Sequence, residues 1–265
     1  MKNIKSLFLV IFLVGIISGC KTNQENPEKA NNDYLLFATL FQQKAAEKRA
    51  LSYQAFNMAK LVLDNEMRRA GLTKKLAIVV DIDETVLDNS PFEAKCIIEN
   101  ADYPKYWNEW CELANARPLA GSVEFLNYAK SKGAETFYIT NRKVKLYDVT
   151  VKNLKEKGFP FADKEHLLMR TDKSDKEPRR NIVKANYEIV LLMGDNLGDF
   201  LNIFDNKNIE ERFSLTDSLR NEFGRKFIVL PNPMYGSWVN ELIYNDFDLT
   251  KEEKIVKFKE QLIDF

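Results

Sequence analysis

The sequence predicts an α/β fold: a doubly wound parallel sheet with a small cap insertion and an N-terminal helix. Three observations predict it. Short apolar runs, beginning with Leu76-Ala77-Ile78-Val79-Val80, have the length and continuity of strands buried on both faces. They alternate with segments of helical composition, as parallel sheets require. Polar residues able to do chemistry follow directly behind several of the runs, at the edge where open α/β sheets bind ligands.

The elements follow in order. Tyr34 to Ala70 is rich in Ala, Leu, Gln, Lys and Glu and holds no Gly or Pro, so one helix is expected, stopped by Gly71. Leu76–Asp81 is the first strand. Phe92 to Leu119 is aromatic and irregular, with Pro104, Trp107, Trp110 and Pro118, and reads as an insertion over the strand end. Gly121 to Lys132 is a helix closed by Gly133, and Glu135–Thr140 the second strand. Lys143 to Lys157 is a helix followed by Gly158 and Pro160. His166–Met169 is the third strand, Arg179–Asn186 a short helix, Ile189–Met193 the fourth strand and Phe227–Leu230 the fifth. Thr250-Lys251-Glu252-Glu253 is a capping box that opens a terminal helix.

The N-terminal end carries an address. Lys2 and Lys5 precede an apolar stretch, Leu7 to Ile17, too short to span a bilayer, and Ile17-Ser18-Gly19-Cys20 follows. This resembles the lipobox of bacterial lipoproteins, which implies removal of residues 1–19 and lipidation of Cys20. Lys21 to Asp33 has the polar composition of a flexible tether. A lipid-anchored protein of the bacterial cell envelope is therefore expected, with residues 34–265 as the working domain. Lys21 in place of an inner-membrane-retention aspartate points to the outer membrane.

Composition excludes several classes. Basic and acidic residues balance at 39 each, and loss of Lys2 and Lys5 with the leader leaves 37 against 39. No basic excess exists to bind a nucleic-acid polymer. Cys96 and Cys111 can be read as a disulfide or as two free thiols, and they form no Cys-x-x-Cys zinc pattern. With His166 as the only histidine, histidine-rich zinc sites and two-histidine phosphotransfer are excluded, and His166 reads as a strand-end packing residue. Carboxylates, lysine and hydroxyls are left to carry the chemistry.

Asp81 and Asp83 follow the first strand two residues apart, which in extended geometry turns both to one side. Two close carboxylates repel, and burying them is costly without a compensating cation. Three further groups stand at predicted strand ends: Thr140-Asn141-Arg142, the basic stretch Lys173, Lys176, Arg179 and Arg180, and Gly194-Asp195-Asn196-Leu197-Gly198-Asp199. Each group alone has a bland reading as turn acids, a helix cap or a solvated face. Their order and placement together do not.

On these four groups the chain resembles the haloacid dehalogenase superfamily, whose sheet is Rossmann-like. More narrowly, it resembles the class C acid phosphatases, bacterial lipoproteins with a 5′-nucleotidase branch. The narrower resemblance rests on Asp81–Phe92 (DIDETVLDNSPF), Tyr138–Arg142 (YITNR), Gly194–Phe200 (GDNLGDF) and Leu230–Trp238 (LPNPMYGSW). It implies a Mg²⁺-dependent enzyme acting on small phosphomonoesters, with Asp81 as nucleophile and Asp83 as general acid and base. It implies a metal held by Asp81, Asp195, the backbone carbonyl of Asp83 and, through water, Asp199. Thr140, Asn141 and Lys176 match phosphate-binding and site-shaping positions; Lys176 fits only with a one-residue gap before Asp195, which leaves Lys173 as the fallback. Trp107 and Tyr235 match positions that stack a nucleobase or aryl group. Competing readings are a phosphotransferase to alcohols, a dehalogenase, and a binding lipoprotein with a vestigial site. Asp83 argues against the dehalogenase, and the intact set of acids against the vestigial site.

Overall fold

The computed structural model describes residues 32–265 apart from 70 and 72. The expected leader, lipidated Cys20 and most of the tether lie outside the described residues.

Three segments precede the sheet: a short 3₁₀ turn at Asn32–Leu35, α1 (Leu36–Lys44) and α2 (Ala46–Glu66). The single helix expected over Tyr34–Ala70 is thus broken, at Ala45, whose backbone is extended (ψ 125°). No local breaker explains it. The two halves dock on different surfaces. The buried Asn32 amide donates to the carbonyls of Cys96 and Ala101 in the insertion, at 3.3 and 2.5 Å, and ties the first piece there. The second piece lies on the sheet through Ala55, Phe56, Ala59, Val62 and Leu63, a helical stripe in the core. Each fully buried Phe or Leu of that stripe contributes roughly 1.5–3 kcal/mol. Tertiary burial overrides local propensity here.

The remaining elements are β1 (Lys75–Val80), β2 (Leu87–Asp88), α3 (Ser90–Ile98), α4 (Trp107–Glu112), β3 (Arg117–Pro118), α5 (Ser122–Ser131), β4 (Glu135–Lys143), α6 (Tyr147–Glu156), β5 (Leu167–Arg170), α7 (Glu177–Asn186), β6 (Tyr187–Gly194), α8 (Ile209–Ser218), β7 (Phe227–Val229), α9 (Ser237–Leu242) and α10 (Lys251–Glu260). Five strands form a parallel sheet in the order β5-β4-β1-β6-β7. β1 sits at its centre. Side chains alternate across β1: Ile78 and Val80 enter the core under α2 and α5, while Ala77 and Val79 enter the core that includes Val183 of α7 and Phe200. The expected fold class is the observed one.

The insertion is more regular than its composition suggested. It springs from an antiparallel hairpin, with Leu87 opposite Pro118 and Asp88 opposite Arg117, and carries α3 and α4. Pro91 occupies the first turn of α3, where its missing N–H costs nothing. Cys96 and Cys111 are buried free thiols in α3 and α4, which settles the two readings left open by their spacing. Among the described residues, no helix is long and apolar enough to cross a membrane.

Candidate active site

The site forms where the three central strands end. The Asp81 N–H donates to the Met193 carbonyl at 2.9 Å, so the backbone behind β1 stays locked to β6. The chain then turns tightly: the N–H groups of Val86 and Leu87 both donate to the Ile82 carbonyl, and Glu84 takes a left-handed conformation (φ 55°). Asp81 is 7% exposed.

Around Asp81 stand Lys176, Asp195 and Asp199. Lys176, at the N-cap of α7, is 6% exposed; its Nζ donates to Asp81 Oδ1 at 2.5 Å and to Asp199 Oδ1 at 2.6 Å. Lys173 is exposed, so the gap in the basic stretch resolves in favour of Lys176. Asp195 accepts from Thr85 Oγ1 at 3.3 Å and from Asn232 Nδ2 at 2.9 Å. Asp199 accepts the Asn196 N–H at 2.9 Å, closing a capping box, while Arg180 donates to the carbonyls of Gly198 and Asp199 at 3.0 and 2.9 Å. The loop behind β6 is thereby held from two sides.

One oxygen from each of Asp81, Asp195 and Asp199 falls within 4.8 Å of the others. An all-oxygen, carboxylate-rich set of this kind suits a hard divalent cation. Electrostatics point the same way. Burial first, then repulsion from Asp199 and Asp83, pushes the Asp81 carboxyl up to about 7 despite Lys176. Burial, Asp199 and Asp81 push Asp195 well above the usual carboxylate range, and burial with Asp83 and Asp195 does the same to Glu84. Burial alone would lower the Lys176 ammonium, but Asp199 and Asp81 overcome it and hold it above the usual lysine range. The cluster is short of positive charge. The Asp83 carboxylate is not part of the triad; the ligand the family resemblance assigns to Asp83 is its backbone carbonyl.

Asp83 faces a different partner. β4 leaves register with β5 between Thr140 and Lys143, and this bulge re-aims the intervening Arg142 into the site. Arg142 Nε and Nη2 donate to Asp83 Oδ1 at 2.9 and 2.7 Å, and Asn89 Nδ2 to the same oxygen at 2.8 Å. Among the described residues, Oδ2 meets only the Thr140 hydroxyl, at 3.5 Å. Thr140, fully buried, also accepts the Arg142 N–H at 3.1 Å. Asn141 is half-buried at the rim, and its side-chain oxygen accepts from Arg179, which also donates to the Thr140 carbonyl.

Of the two aromatic candidates, Trp107 reaches the acids through its ring and one side chain, and Tyr235 through its backbone N–H and one side chain. The Trp107 ring lies 5.6 Å from the Arg142 guanidinium and edge-on to Phe92 at 5.1 Å. The Tyr235 N–H donates to Asn232 Oδ1, on the side chain that also holds Asp195. Trp110 Nε1 donates to Asn89 Oδ1 at 2.8 Å, a positioning contact rather than simple packing. His166 is buried between Phe137 and Phe161 and bonded to Asp163 and Glu135, the packing role expected for it. Sequence reasoning missed Asn89, Glu84 and Asn232 as parts of the site. All three lie inside the quoted motifs, but nothing in their type marks them out.

A family model described as HAD superfamily, subfamily IIIB (acid phosphatase) matches residues 15–238. The structure of a class C acid phosphatase from Bacillus anthracis is 43% identical, covers 88% of this chain and 98% of its own, and superposes with a TM-score of 0.85. A tungstate-bound structure of the Bacillus anthracis enzyme gives 42% and 0.84 over the same shares. Vegetative storage protein 1 of Arabidopsis thaliana and acid phosphatase 1 of Solanum lycopersicum are each 28% identical, over 64% and 59% of this chain; the matches span 62% and 57% of those proteins' lengths. With motifs, sheet order and acid cluster in agreement, the chain belongs to the HAD superfamily, subfamily IIIB, the acid phosphatases.

Proposed function

We propose that this chain hydrolyses small phosphomonoesters by way of an aspartyl-phosphate on Asp81, with Mg²⁺ as cofactor. One observation carries the reading: a buried carboxylate at the end of the central strand, touching a buried lysine, with a second acid two residues on in separate hands. Asp81 attacks phosphorus and the bond to the leaving oxygen breaks. Asp83 gives that oxygen a proton. It then takes a proton from the water that attacks the aspartyl-phosphate, and Asp81 is released. Arg142 and Asn89 fix one oxygen of Asp83, so the proton travels on the other, beside Thr140. Lys176 offsets charge on the transferring group, the dominant kind of term in phosphoryl transfer. Asp81, Asp195, Asp199 and the Asp83 carbonyl would hold the Mg²⁺, which when bound supplies the positive charge that lets two anions approach. Tungstate, bound by the Bacillus anthracis relative, is a tetrahedral oxyanion and supports an oxyanion subsite here.

The substrate reading is 5′-nucleotides and aryl phosphates, flat leaving groups for Trp107 and Tyr235. The Ile17–Cys20 pattern supports a lipid anchor in the bacterial envelope, and Lys21 after it supports the outer membrane. The decisive test is turnover of p-nitrophenyl phosphate. EDTA abolishes it and Mg²⁺ restores it; Asp81→Asn lowers kcat by at least ~10³-fold and removes the acid-stable ³²P label that the wild-type chain takes up. Full turnover by Asp81→Asn would end the mechanism.

A further inference from the structure

The break between α1 and α2 and the β2–β3 hairpin line a half-open cavity of about 310 Å³. No member of the acid cluster lines it. Its walls carry Lys44, Lys48, Arg49 and Arg117 against one lining acid, Asp88, while Glu84 and Asp195 also act electrostatically on Lys48. Lys48 is 3% exposed and the lining Gln42 8%. Among the described residues, neither Lys48 Nζ nor either polar atom of the Gln42 amide has a hydrogen-bond partner. Buried polar groups are rarely left so, because desolvation without a partner is costly. The N-terminus of α2, a helix of 21 residues, opens at the same place: Ala46 lines the cavity, and Ala45 before it offers no side-chain cap. Uncapped N–H groups and the helix dipole there favour negative charge.

We propose that this cavity binds inorganic phosphate, at a site separate from the catalytic one. The orphan donors and the basic walls select an oxyanion. The Gln42 carbonyl oxygen and the Asp88 carboxylate add acceptors, toward which phosphate near neutral pH can donate its one or two O–H groups and sulfate, which has none, cannot. Phosphate is also the product of the reaction proposed above, and in that respect alone the inference rests on that reading. The cavity adjoins the catalytic loop: Asp88 directly precedes Asn89, whose amide holds Asp83.

Equilibrium dialysis of the mature chain with ³²P-phosphate in EDTA tests it without any turnover. One phosphate binds per chain, and Asp81→Asn binds it equally. Lys48→Met and the exposed-site variant Arg117→Met each weaken it by about tenfold, the loss of one charge-assisted contact. Thermal melts identify any variant that fails to fold, and Arg117→Met keeps the test open if Lys48→Met does. Sulfate in tenfold excess leaves the phosphate in place. Absence of binding in EDTA, unaltered binding by Arg117→Met, or loss of binding in Asp81→Asn would each overturn the site; equal displacement by sulfate would overturn its selectivity. Loss of Mg²⁺-dependent turnover alone would instead count against the catalytic reading.

Discussion

At the scale of single residues, the cost of burial decides most of what is distinctive. Glu93, in the first turn of α3, has its carboxyl pushed up to about 7 by burial. Its unfolded value is about 4.5. Between those values the folded chain holds a proton that the unfolded chain has lost, so stability falls as pH rises through that window. The loss is about 3 kcal/mol, complete above the folded value and absent below the lower value. Glu93→Gln should flatten this slope, and melting temperatures of both chains from pH 4 to 8 will show it. Trp107 tests the other side of the site. Trp107→Ala should raise KM for a 5′-nucleotide about 2–10-fold, the worth of one aromatic stacking contact, and leave KM for a small alkyl phosphate nearly unchanged. Equal effects on both substrates would make Trp107 a packing residue. Among site residues, those legible in the sequence were the ones whose chemistry is unusual for their place: Asp81, Asp83 and Asp195 directly behind apolar runs. Asn89, Asn232 and Glu84 escaped because an amide or acid beside a turn is ordinary, and only the folded loop shows what each one touches.

At the scale of elements, β6 ends on a glycine for a steric reason. A Cβ on Gly194 would lie 2.3 Å from Asp199 Oδ2 and 2.4 Å from Asp199 Cβ. Gly194→Ala must therefore displace the carboxylate that Lys176 holds. We expect kcat to fall by at least ~10-fold and the Mg²⁺ concentration for half-activity to rise, measured by metal titration of turnover. An unchanged titration would mean that Asp199 is not needed where it stands. The parallel strands were all readable, since continuous apolar runs bounded by polar residues leave little choice. Their ends moved by one to three residues, as pairing continues past the last apolar position in β6 and past Thr140 in β4. α8 is not legible in the sequence, although Asn208 and Glu211 form a capping box identical in logic to the one at Thr250. Without a strong apolar stripe behind it, that box carried too little signal. The break at Ala45 was invisible for the opposite reason: local propensity favours helix throughout, and two distant docking surfaces impose the bend.

At the scale of the whole molecule, one sheet edge collects every catalytic candidate. β4, β1 and β6 are neighbours, so residues far apart in the chain meet at three adjacent strand ends. The order of the motifs along the sequence, each behind a strand, is what this gathering requires. The tether proposed ahead of residue 34 should act independently of it. Cys20→Ser should release the protein from the membrane fraction to the soluble fraction, followed by activity and immunoblot, with turnover unchanged. Membrane retention by that variant would remove the anchor from the proposal. The two thiols of the cap have a consequence of their own. Cys96 and Cys111 are sealed in separate helices, and burial raises both to about 11. At neutral pH only about one in ten thousand of each is ionised, and the ionised form is the one that oxidants and alkylating agents attack. Iodoacetamide at neutral pH should therefore leave both thiols unlabelled in the folded chain and label both after denaturation, as mass spectrometry will show.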